Sequence, residues 1–227
     1  MYFAGRKKEI KRIIAALGQG ENAIISGRFG IGRTSLARQI AVQARDRWRF
    51  VFVDFSRSPA HACRQMLSAV CPCYFSAHAG GTLPYKTVRH RIVTLPPEDR
   101  RQHVLVLDNI ERLSRQKNTL LQYLTCEKRF LFIAITETFL PETEYIQLKT
   151  ALLATCRIRL GRIGMQGVKA YFRHYAARHH FGWTDSRIAH MARNSGGYPL
   201  GMHEIVSAER SRAEEDKKRI QKKGTPG

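Results

Sequence analysis

Ala23-Ile24-Ile25-Ser26-Gly27-Arg28-Phe29-Gly30-Ile31-Gly32-Arg33-Thr34-Ser35 sets an apolar run, a glycine-rich turn and the start of a helical pattern (Leu36, Ala37, Ile40, Ala41) in direct succession. That context reads as strand, loop, helix. The glycines let the backbone turn its N–H groups inward, and the following helix adds its positive end, so the guest this turn suits is a polyphosphate. Gly27, Gly30, Ile31, Gly32, Arg33, Thr34 and Ser35 are the candidate phosphate contacts, and the Thr34 hydroxyl is a candidate ligand for Mg²⁺. A glycine turn that binds nothing is the competing reading; the flanking elements argue against it.

Arg33 stands where such a loop places its lysine. Lysine is a slim point charge that threads the loop toward the β and γ phosphates, whereas guanidinium is a planar, permanently charged fork. Arg33 can neutralise phosphate charge yet sit wrongly for the transition state, so binding is expected to survive better than hydrolysis.

A second, acidic motif is expected at the end of another buried strand. His103-Val104-Leu105-Val106-Leu107-Asp108-Asn109 fits, with four successive apolar residues ahead of Asp108. Asp108 can serve the metal. Asn109 follows where a carboxylate is wanted, and an amide cannot accept a proton. Glu111 is a displaced substitute, expected on a new helix. Losing one electrostatic catalytic group costs about 10²–10³ in rate, so the changes at Arg33 and Asn109 together predict weak or absent turnover.

With both motifs in hand, the chain resembles the AAA+ superfamily of P-loop ATPases, in the branch of archaeal-type ATPases, origin-recognition proteins, STAND signalling ATPases and transposon-encoded AAA+ regulators. Phe3-Ala4-Gly5-Arg6-Lys7-Lys8-Glu9 resembles the family's N-terminal box F-x-G-R-x-x-E, which implies that Gly5 and Arg6 line the adenine pocket. Thr136, after the apolar run Phe130–Ile135, resembles the polar first sensor of the γ-phosphate. Gly196-Gly197-Tyr198-Pro199-Leu200 resembles the G-x-P turn of the lid, which adds Pro199 to the nucleotide contacts. The resemblance runs to about residue 208 and implies ATP or ADP with Mg²⁺ as ligands and homo-oligomeric assembly. Leu200 and Gly201 stand where origin-type relatives place a sensor arginine, with Arg193 as a stand-in, and Arg157 and Arg159 are the candidates for an arginine finger.

The rest of the chain predicts an α/β fold: a five-stranded parallel P-loop sheet with helices on both faces and a small C-terminal helical lid. Strands are expected around residues 23–26, 50–55, 104–108, 130–135 and 156–160. Helices are expected over 8–17, 34–48, 60–70, 85–95 and 142–153, with lid helices over 166–180, 185–193 and 200–210. The domain reading is a nucleotide-binding base over 1–162, a lid over 163–210 and a charged tail over 211–227 that frays or continues a helix in solvent before becoming disordered.

Length and composition allow this: 227 residues, 43% hydrophobic, no repeat and no apolar run able to span a bilayer. Arg6, Lys7 and Lys8 precede an amphipathic stretch rather than a signal-peptide core, so the expectation is a cytoplasmic protein with no membrane partner. Lys and Arg number 39 against 18 Asp and Glu, a formal charge of +21. Such a field favours polyanions, and contact with the backbone of nucleic acid, DNA above all, is the expected partner. A solvated basic surface is the alternative. His61, Cys63, Cys71, Cys73 and His78 lack the C-x₂-C knuckle of a zinc site, so the five cysteines read as free thiols. His174, His179, His180 and His190 read as decoration of lid-helix surfaces.

Two functions follow. One is an ATP-binding switch or assembly factor on nucleic acid with weak or absent hydrolysis. The other is a catalytically inactive scaffold or STAND-like signalling module that works through contacts with a protein partner.

Overall fold

The computed structural model describes residues 2–78 and 83–223, with side chains through residue 215. Two compact units form: one of Lys7–Phe29 and Arg33–Leu160, the other of Met1–Arg6, Gly30–Gly32 and Gly161–Gly227.

The larger unit is an α/β layer structure. Its strands are β1 (Ala23–Gly27), β2 (Trp48–Asp54), β3 (Gln102–Ile110), β4 (Phe130–Glu137) and β5 (Cys156–Arg159). They form one parallel sheet in the order β2-β3-β4-β1-β5. Parallel strands need crossovers, and helices supply them: α1 (Lys7–Gly18), α2 (Arg33–Gln43), α3 (Pro59–Val70), α4 (Pro72–Ala77), α5 (Tyr85–Thr94), α6 (Arg115–Cys126) and α7 (Glu142–Ala151). The central strands are buried on both faces, as Val104, Leu105, Val106, Leu107, Ile133 and Ala134 show. Leu105, Leu107, Phe132 and Ala134 face a core filled from α3, α5, α6 and α7 by Met66, Leu67, Ile92, Leu120, Leu121, Leu124 and Leu148. Asn22, at the head of β1, is the buried polar tie of this layer. Its amide donates to Leu152 O at 2.6 Å, and its carbonyl accepts from Phe132 N at 2.9 Å.

Helix α2 stops at Gln43 instead of running to Trp48, because Trp48 opens β2 opposite Gln102. Helix α4 was not expected, and the new helix expected at Glu111 is α6, which begins only at Arg115. Ser114 caps α6 by accepting from Lys117 N, so residues 111–113 are irregular backbone and Glu111 does not lie on a helix, contrary to expectation.

The smaller unit holds α8 (Met165–His179), α9 (Asp185–Ser195) and α10 (Pro199–Lys223). Val168, Phe172, Ile188, Ala192, Met202 and Val206 make its core. Two of the lid histidines, both half-buried, stack on aromatic neighbours: His174 on Tyr2 with ring centroids 4.1 Å apart, and His179 against Tyr175 and Phe181. The charged stretch from residue 211 to Lys223 continues α10; of the tail expected over 211–227, residues 224–227 lie outside the described ones. Among the described residues no helix is long and apolar enough to cross a membrane.

Candidate functional site

Thr34 is the second residue of α2, and its hydroxyl donates to the Asp108 carboxylate, 3.1 Å from Oδ1 and 3.0 Å from Oδ2. The sheet aims Asp108 by an irregularity that no local pattern announces. Between Leu107 and Ile110 strand β3 spends three steps where β4 spends two, from Ala134 to Thr136. Asn109 takes up the extra residue in the left-handed region, with φ 59°. Such a bulge bends its strand and re-aims side chains. The Asp108 Oδ1 also accepts from Asn109 N at 2.9 Å. A hydroxyl beside a carboxylate is the all-oxygen donor set that suits a hard divalent ion such as Mg²⁺, which uses one or two carboxylates and completes its shell with water and phosphate.

Arg33 opens α2 beside that pair. Its Nη2 makes an ion pair with Glu137 Oε1, and its Nη1 donates to the Thr136 carbonyl at 2.5 Å. Both side chains of the pair are 12% exposed. Glu137 closes β4 and lies in register with Gly27, the residue that opens the glycine loop. The Thr136 hydroxyl and Glu137 Oε2 are buried without a hydrogen-bond partner. Thr136, the expected sensor, is therefore a buried polar group at the loop's edge whose hydroxyl is unspent.

Asn109 turns its amide toward Asp54, the last residue of β2, with Nδ2 3.4 Å from Oδ1. Asp54 lies in register with Asp108. The Ser56 hydroxyl above all, helped by the Ser56 backbone N–H and by Asn109, holds the Asp54 carboxyl below the ordinary range, although burial pushes the other way more strongly than that N–H. Glu111 is exposed two residues beyond Asn109, its N–H donating to Asn109 O at 3.0 Å. Ser35 is half-buried beside Thr34.

In the smaller unit, Gly30 (φ 74°) must be glycine, because a Cβ there would sit 2.9 Å from Leu200 Cβ. Leu200 N donates to Gly30 O at 3.2 Å. The Arg6 guanidinium donates to Ile31 O at 3.1 Å and to Gly161 O at 2.7 Å, so this arginine anchors the loop's tip through its side chain. Gly5 and Arg6 both have positive φ, and Pro199 starts α10 close to Gly32.

Arg157 and Arg159 are exposed on β5, and Arg193 is exposed in the last turn of α9. Cys63 is buried, which pushes its thiol up to about 12, and Cys73 is raised by its hydrogen bond to Glu98. Among the described residues no three His, Cys, Asp or Glu side chains converge as a metal site. Sequence reasoning missed Glu137 and Asp54. Each follows an apolar strand, and Glu137 directly follows the expected sensor, so an acid able to neutralise Arg33 was visible there.

No protein-family model matches the sequence, and no curated protein matches it. Solved structures do. The chain is similar to Cdc6p of Pyrobaculum aerophilum at 15% identity and a TM-score of 0.67, over 92% of this chain and 62% of that one. It is similar to the ORC1 protein of Aeropyrum pernix in complex with DNA at 17% identity and a TM-score of 0.59, over 95% of this chain and 67% of that one. The RuvB Holliday junction branch migration motor of Thermotoga maritima gives 18% identity and a TM-score of 0.60, over 92% and 63%. The chain thus spans about two-thirds of the length of the structures it resembles. At these identities the likeness is one of architecture, and together with the five-stranded parallel sheet it establishes that this chain has the AAA+ P-loop ATPase fold.

Proposed function

We propose that this chain is a nucleotide-binding AAA+ module that acts as a switch or assembly factor on nucleic acid, DNA in particular, with weak or absent hydrolysis. The observation that carries the nucleotide half is the Thr34 hydroxyl set on the Asp108 carboxylate at the first turn of α2. Thr34 and Asp108 would hold Mg²⁺, which would neutralise phosphate charge at the loop. Gly27, Gly30, Ile31, Gly32, Ser35 and Arg33 are the proposed phosphate contacts, with Gly5, Arg6 and Pro199 as further nucleotide contacts. Thr136 keeps an unspent hydroxyl at the loop's edge, which suits a sensing role. Asn109 offers a donor where hydrolysis needs a proton acceptor, and Glu111, off any helix, is the remaining carboxylate of that segment.

The formal charge of +21 supports backbone contact with nucleic acid, and one of the similar structures holds DNA. Homo-oligomeric assembly and a cytoplasmic setting belong to the same reading.

Calorimetric titration with ATP and ADP, with and without Mg²⁺, tests the nucleotide half: binding that strengthens with Mg²⁺ and is lost in Asp108→Ala is expected. The absence of heat with millimolar nucleotide would refute it. Filter binding of DNA and RNA across a salt series tests the partner, with retention at low salt that falls steeply as salt rises.

A second reading, an inactive scaffold working through a protein partner, draws on the Arg33–Glu137 pair, which spends the loop's cation internally. Hydrolysis by R33K/N109E but not by the native chain would favour it.

A further inference from the structure

Glu137 puts a carboxylate at the foot of the glycine loop. It ends β4 in register with Gly27, is nearly buried, and holds Arg33 while the Thr136 carbonyl takes the second guanidinium nitrogen. One carboxylate oxygen is spent on Arg33 and the other is buried without a partner. A loop that attracts anions by its N–H groups thus carries its own anion, on the very cation that distinguishes this loop from its lysine-bearing counterparts. Glu137 Oε1 and the Thr136 carbonyl occupy Nη2 and Nη1, so a phosphate that takes the fork along that edge must displace them.

The geometry points to Glu137 as the residue that sets which nucleotide this site accepts: it competes with nucleotide phosphate for Arg33 and disfavours ligands increasingly as their phosphate charge rises. This rests on the nucleotide-binding reading above. Breaking a nearly buried ion pair by supplying a new anion leaves the old carboxylate without its counter-charge, and that penalty is set against every phosphate that recruits Arg33. Neutralising Glu137 while keeping its shape removes the competitor. The benefit must grow with ligand charge, because the repulsion removed is between Glu137 and the phosphates themselves.

The test is isothermal titration of the native chain, Glu137→Gln and the double variant R33Q/E137Q with AMP, ADP and ATP at fixed Mg²⁺. Glu137→Gln is expected to tighten ATP by at least about tenfold and ADP by less, leaving AMP within about twofold, and R33Q/E137Q is expected to lose the gain. Equal affinities for native and Glu137→Gln, or an equal gain for all three ligands, would overturn the inference while leaving nucleotide binding intact. No heat from any ligand with any of the proteins would instead sink the nucleotide reading itself. The native chain supplies a check that needs no variant. On saturation with Mg-ATP, the Arg33 side-chain nitrogen resonances should shift as the fork passes from carboxylate to phosphate; bound ATP with unmoved resonances contradicts the proposal.

Discussion

The side-chain amide of Asn109 faces the carboxylate of Asp54 across neighbouring strands, Nδ2 to Oδ1 at 3.4 Å. Amide and carboxylate are a compatible pair, whereas two carboxylates at that spacing repel. Asp54 is already committed to ionisation by Ser56 and, less strongly, by Asn109 and Arg57.

Asn109→Asp is therefore expected to destabilise the larger unit by roughly 0.5–1 kcal/mol at neutral pH, the scale of a cross-strand pair. The loss should shrink as the solution is acidified and one carboxyl protonates. Thermal melts of both proteins between pH 4 and 8 check this, and a constant difference across that range would be at odds with a charge origin.

Gly197→Ala should disrupt the smaller unit. Gly197 has φ 75°, and a Cβ there would sit 2.2 Å from Ile163 O, while Ile163 N donates to Gly197 O at 2.8 Å. The left-handed backbone alone costs about 1–2 kcal/mol for a residue with a Cβ, and the clash adds to it. Hydrogen exchange should show α8 and the start of α10 losing protection well before the β3 and β4 amides; unchanged protection would rule out the strain argument.

His103 is buried in β3 with Nε2 lacking a partner, and burial holds its imidazole below the ordinary range. The fold thus keeps this ring neutral, while the unfolded chain protonates it near the usual value of about 6.5. The sign follows: this contribution to stability is fully present above that value and falls as pH drops toward the folded value. Denaturant unfolding of His103→Phe should lose part of the slope of stability against pH below about 6.5. An unchanged slope would assign it to other groups.

How much of this was legible in the chain follows from the range of each cause. The glycine loop, the run Val104–Leu107 before Asp108 and the run Phe130–Ile135 were readable because strand burial and turn geometry are dictated by neighbours in sequence. The short helix α4 escaped notice because none of its side chains is buried, and the helix expected at Glu111 begins only at Arg115, where Ser114 supplies the cap. The extra residue at Asn109 escaped because a bulge is defined only against the partner strand.

From sequence alone came the loop, the substitution at Arg33, the amide at Asn109 and the alternation of strands with helices. Tertiary structure alone decided what those residues meet. Glu137 reaches Arg33 from 104 positions away, and Asp54 reaches Asn109 from 55. The order β2-β3-β4-β1-β5 sets Asp54 beside β3 and Glu137 beside the end of β1. Which carboxylate neutralises which cation is a matter of strand order and register. Those are chosen by how the crossover helices bury the two faces of the sheet, a condition on the whole chain that no single stretch contains.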